Sequence, residues 1–432
     1  MLIHTAPLAE TAAMLRSGQL DLLAYIDEIC NWIDVAEPEL HALLPEKDRR
    51  QRLMREAKVL QERFPKPSQR PPLYGIPVGV KDVFRVDGFP TRAGSQLPAE
   101  LFAGAEASCV RTLRNAGTIM LGKTISTEFA WIEPGPTRNP HHPGHTPGGS
   151  SSGSAAAVAA GYCPLALGTQ TIGSTIRPAA FCGIVGFKPS YGRIPTDGLI
   201  LFSESVDTIG LFTQDVAGMV VAASLLCNNW RPTELIKNDT LPVIGVPDGA
   251  YLAQASPEGL SAFTTHLSLL EKAGCTVRHV TILQNIELIN EQHRRMAFAE
   301  MAQVHADWFA QYESLYRPRT VEAIRKGQRV SSEELLEYRA GRIGLRIALE
   351  QAIQIAGIDL WVCPAAPGAA PKGITTTGNS IMNLPWTYAG MPAITFPAGY
   401  TAHGLPLGLQ CVGKYMADEQ LMHWAEKITI PC

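Results

Sequence analysis

The sequence predicts an α/β fold, on three observations. Between about residues 73 and 167, short apolar stretches alternate with segments of helical periodicity, the pattern of strands and helices packed around one sheet. Residues 243–247, Val-Ile-Gly-Val-Pro, add another strand-like run farther along. Apolar residues make up 46% of the 432 positions and charged residues 18%, enough to bury a large core rather than leave the chain disordered.

The elements follow in order. Apolar side chains at Leu8, Ala12, Leu15, Leu22, Leu23, Ile26, Ile29 and Ile33 fall at helical spacing, and Gly18 breaks them into two helices. A polar, basic helix spans about residues 47–64 and ends in a proline-rich linker at 65–72. Residues 73–80 read as a strand that places Lys81 at or near its end. Residues 105–116 form a helix and 118–121 a strand. Gly, His, Ser, Thr and Pro make 144–154 a loop. A helix restarts at 155–160, a strand follows at 165–167, and then comes a second loop of Gly, Ser and Thr. Residues 256–356 are mostly helical in pattern. Residues 359–430 return to strands and loops before a short terminal helix.

Composition excludes several classes. The 37 basic and 40 acidic residues leave a net charge of −3, without the basic footprint that nucleic acid or an anionic membrane surface demands. Residues 1–18 include Glu10 and no long apolar run, so they do not read as a signal peptide. No stretch is apolar for the ~18 residues of a membrane span. Nine cysteines, at 30, 109, 163, 182, 227, 275, 363, 411 and 432, form no Cys-x-x-Cys pair. They read as buried free thiols of a reducing compartment, which makes the cytoplasm the expected location.

Amide hydrolysis needs an activated hydroxyl, a proton for the leaving nitrogen and donors for the developing oxyanion. Residues 147–154, Pro-Gly-Gly-Ser-Ser-Ser-Gly-Ser, place several hydroxyls on a pliable backbone, and Gly173 and Ser174 offer another after an intervening helix and strand. Serine and glycine loops are common, so alone this is a weak signal. Other motifs are decoys. Residues 117–124 satisfy the pattern of a phosphate-binding loop, but a helix precedes them and their middle is strand-like, the reverse of what that loop requires. His141, His142 and His145 are separated by proline and glycine and read as a solvated loop rather than a metal site. Cys182 has an apolar setting and no His in its motif, so it reads as an inert thiol.

The run at residues 147–193 resembles the signature of the amidase signature family. It carries Gly-Gly-Ser-Ser-Ser-Gly-Ser at 148–154, Ala-Leu-Gly-Thr-Gln-Thr-Ile-Gly-Ser at 166–174, and Pro-Ala-Ala-Phe-Cys-Gly-Ile-Val-Gly-Phe-Lys-Pro-Ser-Tyr-Gly at 178–192. Residues 75–82 resemble the family's lysine segment. Lys123 with Thr124, 128–130, Asn139 with Pro140, and 404–410 match further pieces. The resemblance covers about residues 70–215 and 355–425. It implies a single α/β domain whose large mixed central sheet is flanked by helices on both faces. Along the chain it implies an N-terminal helical segment at about 1–65, a catalytic core at about 70–230, a variable helical substrate region at about 230–355, and a C-terminal return to the core at about 356–432.

The resemblance also implies roles. Ser174 is the nucleophile, Ser150 the relay and Lys81 the base, with the Gly149–Ser150 peptide cis. Backbone N–H groups of Thr171, Ile172 and Gly173 form the oxyanion hole. A lysine acts as a base only when neutral, so its pKa must fall from about 10.4 by burial. Two departures matter. Gln170 and Ile172 stand where many members have Asp and Gly, and the hole survives only if Ile172 has an ordinary φ. Arg177 falls three residues after Ser174, as in the short malonamidase-like branch, where that arginine grips a substrate carboxylate bidentately. A structural ion pair is the alternative for Arg177, hydrogen bonding to loop backbone for Gln170, and core packing for Glu128 and Phe129, which otherwise line the substrate site. The implied function is hydrolysis of a small-molecule amide with no metal or organic cofactor. The rivals are an ammonia-supplying component of an amidotransferase and a non-catalytic binding protein of the same fold. A homodimer is the assembly entertained.

Overall fold

A computed structural model of the chain describes residues 1–231 and 240–429. It opens as periodicity predicts. Helix α1 (Leu8–Ser17) ends at Gly18, whose left-handed backbone closes the helix, and α2 (Leu22–Leu40) begins behind an Asp21 side-chain cap. Helix α3 (Arg49–Arg63) is the polar helix. Strand β1 spans Pro77–Lys81, shorter than the apolar run suggests. Leu73 and Tyr74 are buried in a turn instead, where Leu73 N–H bonds Ala116 O.

Next come α4 (Ser108–Asn115), β2 (Ile119–Thr124), α5 (Ser152–Ala159), β3 (Leu165–Gln170), α6 (Ile176–Cys182), β4 (Val185–Lys188), β5 (Thr208–Thr213) and α7 (Val216–Leu226). After residue 240 lie β6 (Val243–Asp248), α8 (Pro257–Lys272), β7 (Thr276–Thr281), α9 (Ile286–Val304), α10 (Ala306–Tyr312), α11 (Pro318–Gly327), α12 (Ser332–Ala356), β8 (Leu360–Pro364), α13 (Leu384–Tyr388), β9 (Ala393–Tyr400), β10 (Pro406–Val412) and α14 (Asp418–Ile428).

The ten strands form one mixed sheet in the order β2-β1-β3-β5-β4-β9-β10-β8-β6-β7, flanked by helices on both faces as the resemblance implies. At one end β1 runs parallel to both β2 and β3, so their C-terminal ends lie side by side. Val80 is in register with Leu167, which brings Lys81 beside the end of β3. β7 interrupts the stretch expected to be helical. It is an edge strand in which Val277 and Val280 are the only aliphatic side chains, so its apolar signal is faint.

Helix α5 is buried along its whole length and made only of Ser, Gly, Ala and Val. A helix that is small and apolar all round belongs inside the protein. Gly153 shows how tight the fit is. A Cβ there would lie 2.2 Å from Ala42 O and 2.4 Å from Ile125 N. The glycines and serines of this motif therefore let a helix slot against neighbouring backbone, which sets the position of the loop before it.

Candidate active site

Lys81, the last residue of β1, is fully buried. Its Nζ lies 2.7 Å from Ser150 Oγ and 2.7 Å from Thr169 Oγ1. Among the described residues it forms no ion pair, and burial lowers its pKa to about 7 while the Asp207 carboxylate pulls the other way. A neutral amine beside a hydroxyl is able to take that hydroxyl's proton. Ser150 precedes α5 and follows a cis Gly149–Ser150 peptide. Asp207 is itself buried, which raises its pKa to about 6, although hydrogen bonds from Thr171 Oγ1 and the N–H groups of Phe202 and Ser203 oppose that shift.

Ser174 stands in the turn between β3 and α6, 7% exposed, in a narrow cleft also lined by Ala130, Trp131, Thr171, Ile172 and Arg177. Its hydroxyl has no hydrogen-bond partner among the described residues, so the structure links Lys81 to Ser150 and leaves Ser174 unbonded at the cleft. Ile172 is absent from the residues with positive φ, so this departure does not force the turn out of shape. Gly173 is needed for close approach, since a Cβ would lie 2.3 Å from Asn383 Oδ1. Thr175 and Ile176 donate their N–H groups to Gln170 Oε1, at 2.8 and 3.0 Å. No hydrogen bond among the described residues uses the N–H groups of Ile172, Gly173 or Ser174.

Four side chains offered by the sequence for substrate binding divide. Arg177 lines the cleft and is buried. It bonds Gly149 O at 2.5 Å, and Thr377 Oγ1 and Gly378 O at 3.3 Å each. It has no carboxylate partner among the described residues, its Nε is unbonded, and burial lowers its pKa to about 9. The structural ion pair is therefore not what holds it. Gln170 does not reach the cleft. It is fully buried and spends both ends of its amide inside the protein, with Nε2 donating to Thr387 Oγ1 at 2.9 Å. Glu128 is also turned away, accepting the Arg317 N–H on its carboxylate at 3.0 and 3.2 Å. Phe129 packs in an aromatic cluster with Phe102, His305 and Tyr316. None of these last three lines the Ser174 cleft.

The decoys resolve as well. Lys123 lies in β2 and pairs with Asp82 at 2.8 Å, and no helix opens at the motif. His141 and His145 bond the backbone carbonyls of Cys182 and Ala370, at 3.0 and 2.8 Å. No group of three metal-ligating side chains occurs among the described residues. Cys182 is buried and its thiol pKa is pushed up by desolvation. All eight described cysteines are free and buried, and Cys432 lies outside the described residues. No described helix is long and apolar enough to cross a membrane.

The model of a family named Amidase matches residues 24–422. The chain belongs to the amidase family. Among relatives, the A subunit of the glutamyl-tRNA(Gln) amidotransferase of Geobacillus kaustophilus is 30% identical, with 96% of this chain and 94% of that protein aligned. Its counterpart from Thermosynechococcus vestitus is 29% identical over 93% and 92%. A solved amidase structure superposes with a TM-score of 0.88 at 32% identity, covering 98% of this chain and 99% of that one. A structure described as a vestigial protein complex bearing on the origins of an s-triazine catabolic enzyme gives 0.87 at 26%, covering 98% of each.

Within this amidase-family site, sequence reasoning missed Thr169, Asp207, His293, Asn383 and Thr387. Asp207 is 36 residues from the Thr171 it bonds, and His293 is 122 residues from the same residue. Thr169 lies within the motif at 166–174, but no local pattern marks the other four. Residues 404–410, singled out by motif, lie mainly on β10, where Gln410 Oε1 accepts from Asn383 Nδ2 at 3.1 Å behind Gly173.

Proposed function

We propose that this amidase-family chain hydrolyses a carboxamide through an acyl-enzyme on Ser174, with Ser150 as relay and Lys81 as base. The observation that carries this reading is the buried Lys81, without an ion-pair partner among the described residues, held 2.7 Å from Ser150, whose neighbour Gly149 is bonded by the Arg177 that lines the Ser174 cleft. Ser174 Oγ attacks the carbonyl carbon as its proton passes by way of Ser150 to Lys81. The oxyanion meets the N–H groups of Ile172 and Gly173, with those of Thr171 and Ser174 flanking them. The proton returns along the same path to the leaving nitrogen, the C–N bond breaks and ammonia or an amine departs. Water, deprotonated along the same path, then releases the acid. The scheme needs no metal or organic cofactor.

The substrate we propose is a small amide bearing a carboxylate. Arg177 offers a guanidinium with an unbonded Nε and no acidic partner among the described residues, on the wall that Ser174 shares. A carboxylate entering the cleft supplies the missing counterion. Residues of the helical region at 230–355 approach the same wall. Phe298 meets the Trp131 ring at 5.0 Å and Arg319 O accepts from Trp131 Nε1 at 3.2 Å, supporting a role for that region at the entrance. Assaying malonamate against a neutral amide of equal size with Arg177→Ala tests the idea. A selective rise in KM for malonamate supports it, and equal changes for both remove it.

The near full-length likeness to components of glutamyl-tRNA(Gln) amidotransferases favours a second reading, in which the same chemistry supplies ammonia to a partner. Hydrolysis of small amides by the isolated chain at full rate, unchanged by any added partner protein, decides against it.

A further inference from the structure

Three consecutive carbonyls in the Ser174 turn are engaged, two of them by distant helices and one by the first turn of α6. Thr171 O lies 2.9 Å from His293 Nε2 on α9. Ile172 O accepts from Thr387 Oγ1 on α13 at 2.7 Å. Gly173 O accepts from Arg177 N–H at 3.1 Å. In a trans peptide the carbonyl of one residue and the N–H of the next point in opposite directions, and the only cis peptide among the described residues is Gly149–Ser150. With these three oxygens engaged, the N–H groups of Ile172, Gly173 and Ser174 point the other way, and those are the three that no described group uses.

We propose that His293 and Thr387 are positioning residues that aim the oxyanion-binding N–H groups by anchoring the carbonyls of Thr171 and Ile172. The inference rests on the reading of this turn as the oxyanion hole. A carbonyl only accepts, so the ring nitrogen facing Thr171 O must carry a proton. The imidazole is buried, which lowers its pKa to about 4, so at neutral pH it holds one proton. Both ring nitrogens face a carbonyl, and we place the proton on Nε2, 2.9 Å from Thr171 O, rather than on Nδ1, 3.2 Å from Leu384 O. The ring is fixed by stacking on Tyr388, 20° from parallel. Thr387 is fixed differently. Its hydroxyl has one proton and two carbonyls in reach, Ile172 O at 2.7 Å and Asn383 O at 3.1 Å, and donates to the nearer; it accepts from Gln170 Nε2, while Gln170 Oε1 takes the N–H groups of Thr175 and Ile176. An aspartate at position 170 would lack the donor that holds Thr387. The Gln170–Thr387 pair thus braces the turn from behind in a chain that carries Ile172 rather than glycine.

The test uses the full chain and a fluorophosphonate that labels an activated serine. It compares the maximal labelling rate and the half-saturating probe concentration for His293→Leu, His293→Gln, Thr387→Val and Thr387→Ser. Misaimed donors slow the bond-forming step but not probe binding, so His293→Leu and Thr387→Val are expected to lose about tenfold or more in rate at unchanged half-saturation. His293→Gln and Thr387→Ser, which keep a donor, recover most of it. Apolar variants that label at the wild-type rate overturn the proposal, as do donor-keeping variants as slow as the apolar ones, which would indicate packing alone. Wild-type protein that fails to label at Ser174 defeats the catalytic reading itself, and the anchors with it.

Discussion

Lys81 Nζ lies 2.7 Å from Ser150 Oγ in a fully buried setting that gives the amine no ion-pair partner among the described residues. On the neighbouring strand Lys123, which aligns with Val80, is equally buried but sits 2.8 Å from Asp82. Burial lowers the pKa of both lysines. Lys123 keeps a carboxylate in contact that opposes the shift, whereas Lys81 is left against two hydroxyls and is the one free to shed its proton.

Replacing Lys81 by Met should therefore remove the base while keeping an apolar side chain of similar length in the core. We expect kcat to fall about 10²–10⁴-fold with cooperative unfolding retained in circular dichroism melts. Turnover near the wild-type level would assign the proton to another group.

The pH dependence follows from burial. Lys81 is active when unprotonated, and its pKa is held near 7, so the rate should rise through about pH 7 and level off above it. The Asp207 carboxylate raises that pKa. Asp207→Asn should accordingly move the rising limb to lower pH, measured as kcat/KM in buffers spanning about pH 5–9. A limb that moves upward contradicts the sign of this interaction.

Gly173→Ala tests the turn. The added methyl would sit 2.3 Å from Asn383 Oδ1 and 2.8 Å from Ser380 Cβ, and Asn383 is tied to Ala365 O and Gln410. The turn must shift, and losing oxyanion contacts costs roughly 10²–10³ in kcat. A variant with wild-type kcat would place the oxyanion elsewhere.

Lys123→Ala should act on stability instead. Leaving Asp82 buried without its partner costs about 3–5 kcal/mol, read as a lower denaturation midpoint in urea. Unchanged stability would mean that solvent reaches Asp82.

The sequence made the catalytic candidates legible because each sits in a motif that is recognisable by itself. Lys81 ends β1, Ser150 precedes α5 and Ser174 follows β3. Helical periodicity also located α1 and α2, with their break at Gly18. What local pattern did not carry was pairing across distance. β4 and β5 hydrogen-bond to each other and to strands remote in sequence, and their few residues resemble buried loop. Gln170 reads as available for substrate in the sequence, yet Thr387, 217 residues away, occupies it. Glu128 reads as equally available, and is consumed by the backbone of Arg317.

The most direct measurement is fluorophosphonate labelling across pH, with the modified residue mapped by peptide mass. A single adduct on Ser174 is expected, with a formation rate that rises through about pH 7 in the wild type and nearly vanishes in Lys81→Met. An adduct on another serine, or a rate indifferent to both pH and Lys81, would contradict it.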